Sequence, residues 1–208
     1  GPASGLGGHQ SLSGPRTENT LRRAFGLEYP LKPFESRPLA WGSHILEVLS
    51  WPRLRSEARL MVFPAEQTAE LESTLCHAGA RSVSDEAFNI LRVERGLPLF
   101  GVDMDEETLP LEARLEDAIS FEKGCYMGQE TISRVHHLGH VNKILVQLKM
   151  KADQPPAAGS LVFKDGKEVG KVTSAVVSPK LGILALATVR LDAAISEIML
   201  EVKSNGGW

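Results

Sequence analysis

The sequence predicts an α+β fold, in which a layered α+β domain is followed by a small antiparallel β-barrel. Two short apolar strands precede two segments with helical periodicity in the first half of the chain. After Asn142 the pattern changes to several short strands that lie close together in sequence. The order strand, helix, helix is typical of a layered domain, because each element buries its apolar face against another. Short, closely spaced strands favour a small barrel or sandwich.

Composition excludes several classes of protein. The chain has 208 residues, 42% hydrophobic and 24% charged, which is enough for one large core or two small ones. We expect no membrane span and no secretory signal, since no run is long and apolar enough. A net charge of -3 argues against a dedicated nucleic-acid binder. The two cysteines, Cys76 and Cys125, fit a reducing compartment and cannot alone supply a four-cysteine metal or iron–sulfur site.

The N-terminal residues carry little information about packing. Residues 1–14 contain five glycines, and glycine loses the most backbone entropy when it becomes ordered. We therefore expect a loop there, and treat residues 1–34 as a flexible or truncated segment. Two apolar runs bounded by prolines are then predicted as strands: 44–49 and 57–63.

Two amphipathic helices follow these strands. In the first, one face is formed by residues spaced by three or four positions: Thr68, Leu71, Leu75 and Ala78. Gly79 stands just past its predicted end. The second begins with Ser84 as N-cap, carries Asp85 and Glu86 in its first turn, and ends before Gly96.

A reversal of charge divides the remaining chain. Residues 101–122 are acidic, whereas residues 123–151 are basic, which predicts a boundary between surfaces or domains. We place an α+β domain at 35–140 and a barrel domain at 141–208. Five strands are predicted in the barrel: 143–150, 160–164, 167–177, 181–190 and 197–203. Asp165-Gly166 predicts a two-residue hairpin turn, since a type I′ turn needs positive φ at both positions.

The most informative segment is Lys-Gly-Cys-Tyr-Met-Gly-Gln-Glu, residues 123–130. The glycines on either side of Cys125 permit tight turns, and a short helix can begin at Glu130. A thiol ahead of a helix N-terminus and beside Lys123 is expected to carry more thiolate at neutral pH. Such a thiol would suit a nucleophile, a redox-sensitive group or a soft-metal ligand. The alternative is a buried cysteine packed in a loop.

Glu94 stands out by its position on the second helix. It shares one helical face with apolar residues: Ala87, Ile90 and Leu91. A charge on such a face is costly unless it is paired or binds a ligand. A buried carboxylate can accept two parallel N–H bonds from a heterocycle. The alternative is a salt bridge with one of three arginines: Arg92, Arg95 or Arg114.

Three histidines follow the cysteine segment: His136, His137 and His140. Their number suggests a metal site, but their spacing matches no common zinc pattern. The better-supported interpretation is that they are partly exposed histidines in a basic loop that leads into the barrel.

The cysteine segment resembles the K-G-C-[FY]-x-G-Q-E signature of the folate-binding YgfZ family, whose relatives are the glycine-cleavage T-proteins (aminomethyltransferases). The resemblance continues through four further positions: Arg134, His136, Gly139 and Val141. Upstream, residues 92–98 and 110–113 resemble the R-[LIV]-E-x-G-x-P and P-x-E-[AG] elements of the wider superfamily. Family members are usually longer at the N-terminus, and Gly1-Pro2 resembles a Q-G-P turn found partway into their folate domain.

The resemblance implies a fold, a cofactor and a set of site residues. Residues 35–140 would form part of an aminomethyltransferase-like folate-binding domain, followed by the barrel that ends both families. The cofactor would be tetrahydrofolate, whose pterin ring is held in aminomethyltransferases by the glutamate that matches Glu94. The residues implied for cofactor binding are Glu94, Glu112, Tyr126, Gln129 and Arg134. Cys125 and Lys123 would be the catalytic pair.

The resemblance also implies a function. The leading hypothesis is a tetrahydrofolate-binding protein of iron–sulfur cluster assembly or repair, with Cys125 as the functional thiol and iron–sulfur client or assembly proteins as partners. It would act in the cytoplasm or an organelle matrix. The alternative is a folate-dependent aminomethyl or methyl transferase of the T-protein type. A second alternative is a binding module without catalysis.

Overall fold

In the computed structural model the chain divides into two compact units, Gly1–Phe88 and Asn89–Trp208. Helices together with two antiparallel sheets confirm the α+β class. The domain boundaries expected at residues 34 and 140 stay a prediction. Of Leu138 only the backbone is described, and the described residues are 7–28, 30–52, 54, 57–194 and 199–203.

The first unit is built on a four-stranded antiparallel sheet with the strand order β1-β4-β3-β2. Two of its strands, β3 and β4, confirm the two apolar runs predicted from the sequence. The strand bounds are β1 Gly7–Leu12, β2 Ser36–Trp41, β3 His44–Ser50 and β4 Arg59–Pro64. The strand β2 was not predicted. It contains Pro38 and lies at the edge of the sheet, where a missing N–H donor is tolerated.

The expectation of an N-terminal loop is wrong for β1 and for the helix α1, Thr17–Phe25. β1 pairs with β4 from Gly7↔Pro64 to Leu12↔Arg59. Gly8 has a packing reason, because a Cβ at this position would lie 2.7 Å from Cε2 of Phe63. A strand that gains its hydrogen bonds from a distant partner is not visible in local composition.

The core of this unit lies between the sheet and two helices, α1 and α2 (Thr68–His77). Strand residues alternate in burial, so that Leu46 and Val48 of β3 are fully buried. The apolar cluster takes its members from both layers: Leu21, Leu27, Leu31, Trp41, Leu46, Val48, Met61, Phe63, Leu71 and Leu75. This arrangement confirms the periodic face predicted for Leu71 and Leu75.

Both predicted helices are present. They are α2, Thr68–His77, and α3, Asp85–Glu94. The Ser84 hydroxyl accepts the N–H of Ala87 at 3.2 Å, which confirms the predicted N-cap. Gly96 has φ +67, as a left-handed residue after a helix end requires.

The second unit ends in a five-stranded antiparallel sheet with the order β5-β8-β7-β6-β9. Asp165 and Gly166 have φ of 51 and 74, which confirms the two-residue turn between β6 and β7. Before the sheet lies the helix α4, Gln129–Leu138, one residue earlier in its start than predicted. The strand bounds are β5 Lys143–Lys149, β6 Leu161–Lys164, β7 Lys167–Ser178, β8 Gly182–Arg190 and β9 Glu201–Lys203.

Two apolar clusters hold this unit together. One fills the inner face of the sheet: Val162, Val169, Val172, Ala185, Ala187, Val189 and Ala193. The other packs the end of α3 against the strands: Val93, Leu145, Val176, Leu184 and Leu186. None of the helices in the described part of the chain combines the length and apolarity that crossing a bilayer needs.

The backbone of β8 lies very close to Gly170, so we expect this position to be sensitive to substitution. A Cβ on Gly170 would lie 2.1 Å from the carbonyl oxygen of Thr188 and 2.7 Å from Cα of Val189. We expect Gly170→Ala to lower the free energy of unfolding of this unit by about 1–3 kcal/mol or more, because backbone cannot move aside as a side chain can. Gly124→Ala is the control, since no atom lies within 4 Å of its ideal Cβ. Denaturant unfolding followed by circular dichroism measures both, and equal stability of the two variants would contradict the prediction.

Candidate functional site

The end of α3 carries a buried arginine, and each of its three side-chain nitrogens donates to a protein acceptor. Arg92 is 4% exposed, and its Nη1 donates to Oδ2 of Asp103 at 2.6 Å. Its Nη2 donates to the hydroxyl of Ser174 at 2.8 Å. The Nε and Nη1 atoms also donate to Oδ1 of Asn89 and the carbonyl oxygen of Leu97. A guanidinium held in this way is fixed in position and is not free to act on a ligand.

Asp103 is the other centre of this network. Its Oδ1 accepts from the hydroxyls of Ser174 and Thr173, at 2.7 and 2.6 Å. Its Oδ2 accepts from Arg92 and from the N–H of Leu99 at 2.9 Å. Both carboxylate oxygens are therefore satisfied, as a buried charge requires. The network anchors the loop after α3 to the strand β7.

At the end of α3, successive helix residues lie beside alternate residues of the strand β7. Two hydrogen bonds join these elements, Arg92 with Ser174 and Glu94 with Ser178, and between them Val93 belongs to the same apolar cluster as Val176. Because alternate strand residues share a face, Ser174, Val176 and Ser178 lie on a single face of β7. This registration sets the position of the Glu94 carboxylate.

Glu94 is half-buried, and its Oε1 accepts from the hydroxyl of Ser178 at 2.5 Å. That hydroxyl in turn accepts the N–H groups of Lys180 and Leu181 in the β7–β8 turn. Within the described residues Glu94 forms no ion pair, so the alternative of an arginine partner is wrong. Arg92, its neighbour, is instead committed to Asp103. The second carboxylate oxygen of Glu94 has no described partner.

Glu112 is buried and performs a local structural task. Its Oε2 accepts the N–H of Leu109 at 3.1 Å and lies 3.7 Å from Nζ of Lys143. Its backbone carbonyl accepts the N–H of Leu145 at 2.7 Å. These contacts tie the turn 109–112 to the strand β5. The role in cofactor binding that the resemblance implies for Glu112 stays a prediction.

The cysteine segment forms a loop that leads into α4. Cys125 is exposed, so the alternative of a cysteine packed in the interior is wrong. Gly128 has φ +84 and precedes the first residue of α4, as the predicted tight turn requires. Gly124 is not in the left-handed region, so only one of the two glycines is needed for its backbone conformation.

The residues around Cys125 differ in their surroundings. The Nζ of Lys123 lies 5.1 Å from the centroid of the Tyr126 ring, within range of a cation–π contact. The Tyr126 hydroxyl is buried and has no hydrogen-bond partner in the described part of the chain. Met127 is 98% exposed. The loop thus presents a thiol and a thioether to solvent beside a half-buried aromatic ring.

The remaining residues implied by the resemblance lie on α4. Gln129 is its first residue and is half-buried. Arg134 forms an exposed ion pair with Glu130 at 2.7 Å, one helical turn away. In the residues that the structure describes, no hydrogen bond or ion pair joins these groups or the Cys125 loop to Glu94. The predicted residues therefore form two separate groups within the second unit.

An aromatic cluster on α4 was not predicted. The ring of His136 stacks on Phe121, with centroids 4.0 Å apart and an interplanar angle of 21°. His137 meets His136 edge-on at 4.9 Å. No group of His, Cys, Asp and Glu that could hold a metal ion is found where the chain is described. The close spacing of the histidines was the only signal for this cluster in the sequence. Their contact with Phe121 could not be predicted, because Phe121 lies in the loop before α4 and not near them in the chain.

Comparisons with known proteins match about the last third of the chain to a family model. Residues 143–207 match the family model "Glycine cleavage T-protein C-terminal barrel domain". A solved structure of the glycine cleavage system aminomethyltransferase T from Bartonella henselae resembles the chain with a TM-score of 0.57 and 19% identity, covering 96% of this chain and 80% of that one. The described fold is thus T-protein-like, with a C-terminal barrel-type domain.

Related sequences are named as transferases. An aminomethyltransferase of Geobacillus kaustophilus is 32% identical over 204 residues, which is 94% of this chain and 56% of that protein. A protein of Arabidopsis thaliana named a putative chloroplastic transferase is 40% identical over 101 residues, 49% of this chain and 23% of that protein. The chain spans about half the length of the first of these relatives. These similarities support a relationship to the glycine-cleavage T-proteins.

The buried ion pair at the base of this site gives a test of its structure. We expect Asp103→Ala to lower the free energy of unfolding by about 3–5 kcal/mol, because it leaves the Arg92 guanidinium buried and unpaired. Glu106→Ala in the same loop is the control, because Glu106 is exposed and its side chain has no hydrogen bond or ion pair in the described residues, and we expect a change of about 0.5 kcal/mol or less there. Hydrogen exchange of the β7 amides reports the stability of this unit. A loss for Asp103→Ala no greater than that for Glu106→Ala would contradict the prediction.

Proposed function

We propose that this chain, as a relative of the glycine-cleavage T-proteins, binds tetrahydrofolate and takes part in one-carbon transfer of the T-protein type. The observation that carries the proposal is the half-buried Glu94 carboxylate, with one oxygen held by Ser178 and the other without a described partner. The family domain at residues 143–207 and the aminomethyltransferase names of the relatives support the same reading. This function is the folate-dependent transferase alternative that the sequence resemblance implies.

The carboxylate of Glu94 fits the hydrogen-bond donors of the folate pterin ring. A pterin presents adjacent N–H donors, and a fixed carboxylate is the acceptor that matches them. Ser178 holds Glu94 by a hydrogen bond from its hydroxyl, and the step-by-step contact of α3 with β7 limits how far the carboxylate can move. Preorganisation of this kind reduces the entropy cost of binding.

When bound, tetrahydrofolate would supply the nitrogen atoms that carry the one-carbon unit. The chain's own contribution is to bind and orient it. Glu94 would accept the N–H groups of the pterin edge, and Arg134, exposed on α4, would attract the anionic glutamate tail. We further propose that Glu112 acts indirectly, by holding the turn 109–112 against β5.

Replacing the carboxylate tests this proposal. Glu94→Gln keeps the shape of the side chain and an acceptor for Ser178, but removes the charge and one of the two acceptor oxygens. We expect the Kd for tetrahydrofolate, measured by calorimetry, to rise about ten- to hundredfold. Glu86→Gln is the matched control, because Glu86 is exposed in the first turn of the same helix. A Kd unchanged by Glu94→Gln, or raised equally by both variants, would be fatal to the assignment of Glu94.

A second candidate function rests on a different observation. Cys125 is exposed in the loop before α4, with Met127 at 98% exposure two residues away. An accessible thiol of this kind suits the transfer of a soft metal or a covalent step better than it suits packing. We therefore keep the hypothesis that the chain assists iron–sulfur cluster assembly or repair, with tetrahydrofolate as cofactor and Lys123 as the cation nearest to Cys125 in sequence.

The two cysteines provide a matched pair for testing this second function. Both are free and exposed, Cys76 on α2 and Cys125 in the loop. We expect Cys125→Ser to abolish rescue of a cluster-dependent enzyme in cells that lack the native protein, because serine cannot act as a soft ligand or as a thiolate. Cys76→Ser should rescue fully. Full rescue by Cys125→Ser removes the thiol from the mechanism, and turnover of aminomethyl or N-methyl substrates by the same variant then favours the transferase.

A further inference from the structure

A cavity of about 480 Å³ lies against the C-terminal sheet, and neither Glu94 nor the cysteine loop belongs to its lining. One wall is the loop 101–108, and the floor is formed by the strands β5, β6, β7 and β8. Its volume is within the range of pockets for small organic ligands. Nothing in the proposed folate chemistry uses it.

The floor brings three cationic side chains to one face of the sheet. Lys143 of β5 pairs directly with Arg190 of β8, and Lys171 of β7 pairs directly with Thr188 of β8. Arg190 and Thr188 are two residues apart, so all four side chains leave the sheet on the same side. All four line the cavity.

Three carboxylates, Asp103, Asp105 and Glu168, share the lining with these cations, and none forms an ion pair with them in the described part of the chain. Asp103 has both oxygens occupied by Arg92, Leu99 and the strand hydroxyls. Asp105 accepts from the Thr108 hydroxyl at 2.7 Å and from the N–H of Glu107. The Thr108 bond lowers the pKa of Asp105, and the charge of Lys143 adds a smaller contribution in the same direction.

Two of the three cations form either an exposed ion pair or none, and the third lies near the buried Glu112 carboxylate. Arg190 pairs with Asp192, and both side chains are more than 60% exposed. Lys143 lies 3.7 Å from Glu112. Lys171 has no ion-pair partner within the described ranges of the chain. Exposed pairs contribute little free energy because water screens them, so an incoming anion can compete for the cations.

The apolar part of the lining completes the site. Leu161 pairs directly with Lys171 and therefore shares its face of the sheet, and Val102 and Met104 line the wall. A pocket that combines a few convergent charges with an apolar part of its lining selects a ligand with an anionic group on an apolar body. We propose that this cavity binds a small organic anion, whose phosphate or carboxylate group is held by Lys143, Lys171 and Arg190.

Three small probes test this proposal on the full chain. They are phenyl phosphate, benzoate and benzyl alcohol, which share an aromatic ring and differ in the group that it carries. We expect phenyl phosphate or benzoate to shift the backbone amide resonances of Gly170 and Thr188 saturably, at about 0.15 M salt, and the tighter of the two identifies the anionic group. Absence of saturable shifts for both anions, or equal binding of benzyl alcohol, would overturn the proposal.

Variants locate the binding group. We expect Lys171→Gln to weaken binding of the tighter anion about five- to tenfold. Lys167→Gln is the matched control, an exposed lysine on the same strand that does not line the cavity. Both lysines are exposed, so both variants should keep the wild-type amide spectrum. Glu94→Gln should leave anion binding unchanged, which separates this site from the proposed folate function. Equal weakening by Lys171→Gln and Lys167→Gln would show general charge attraction and falsify the site.

Discussion

The buried ion pair between Arg92 and Asp103 is the interaction on which the second unit depends. Two charges taken out of water are costly, and they are tolerated only when every donor and acceptor finds a partner. Here both carboxylate oxygens and the guanidinium nitrogens are satisfied by strand hydroxyls, loop N–H groups and carbonyls. Such a network contributes less to stability than to specificity, since an alternative packing would leave a charge unpaired. It fixes the loop after α3 and the strand β7 in one arrangement.

This constraint connects the fold to both sites of the unit. On one side, the Arg92 contact with Ser174 begins the registration that ends with Glu94 on Ser178. On the other side, Asp103 holds the start of the loop 101–108 that walls the cavity. One polar network therefore positions a candidate acceptor for a heterocycle and shapes a separate pocket. The cysteine loop lies outside it and is anchored by its own turn at Gly128.

The sequence predicted those features that short-range chemistry determines. The Asp165-Gly166 turn, the Ser84 cap and the apolar faces of α2 and the strands follow from residues close to one another in the chain. β1 and α1 were missed because their partners are distant: β1 gains its hydrogen bonds from β4, some 50 residues later. Glu94 was recognised as unusual, but its partner was expected among arginines. Arg92 was already committed to Asp103, a pairing across 11 residues that no periodicity encodes.

The hydroxyl of Ser178 has a single proton, and that proton is directed at Glu94 while two turn amides occupy its lone pairs. Hydrogen-bond polarity therefore runs one way, from the backbone of the hairpin, through the hydroxyl, to the carboxylate. A ligand that draws electron density from the free oxygen of Glu94 would weaken the hydrogen bond that Ser178 donates to the other oxygen. The turn between β7 and β8 is in this way coupled, through one hydroxyl group, to whatever Glu94 binds.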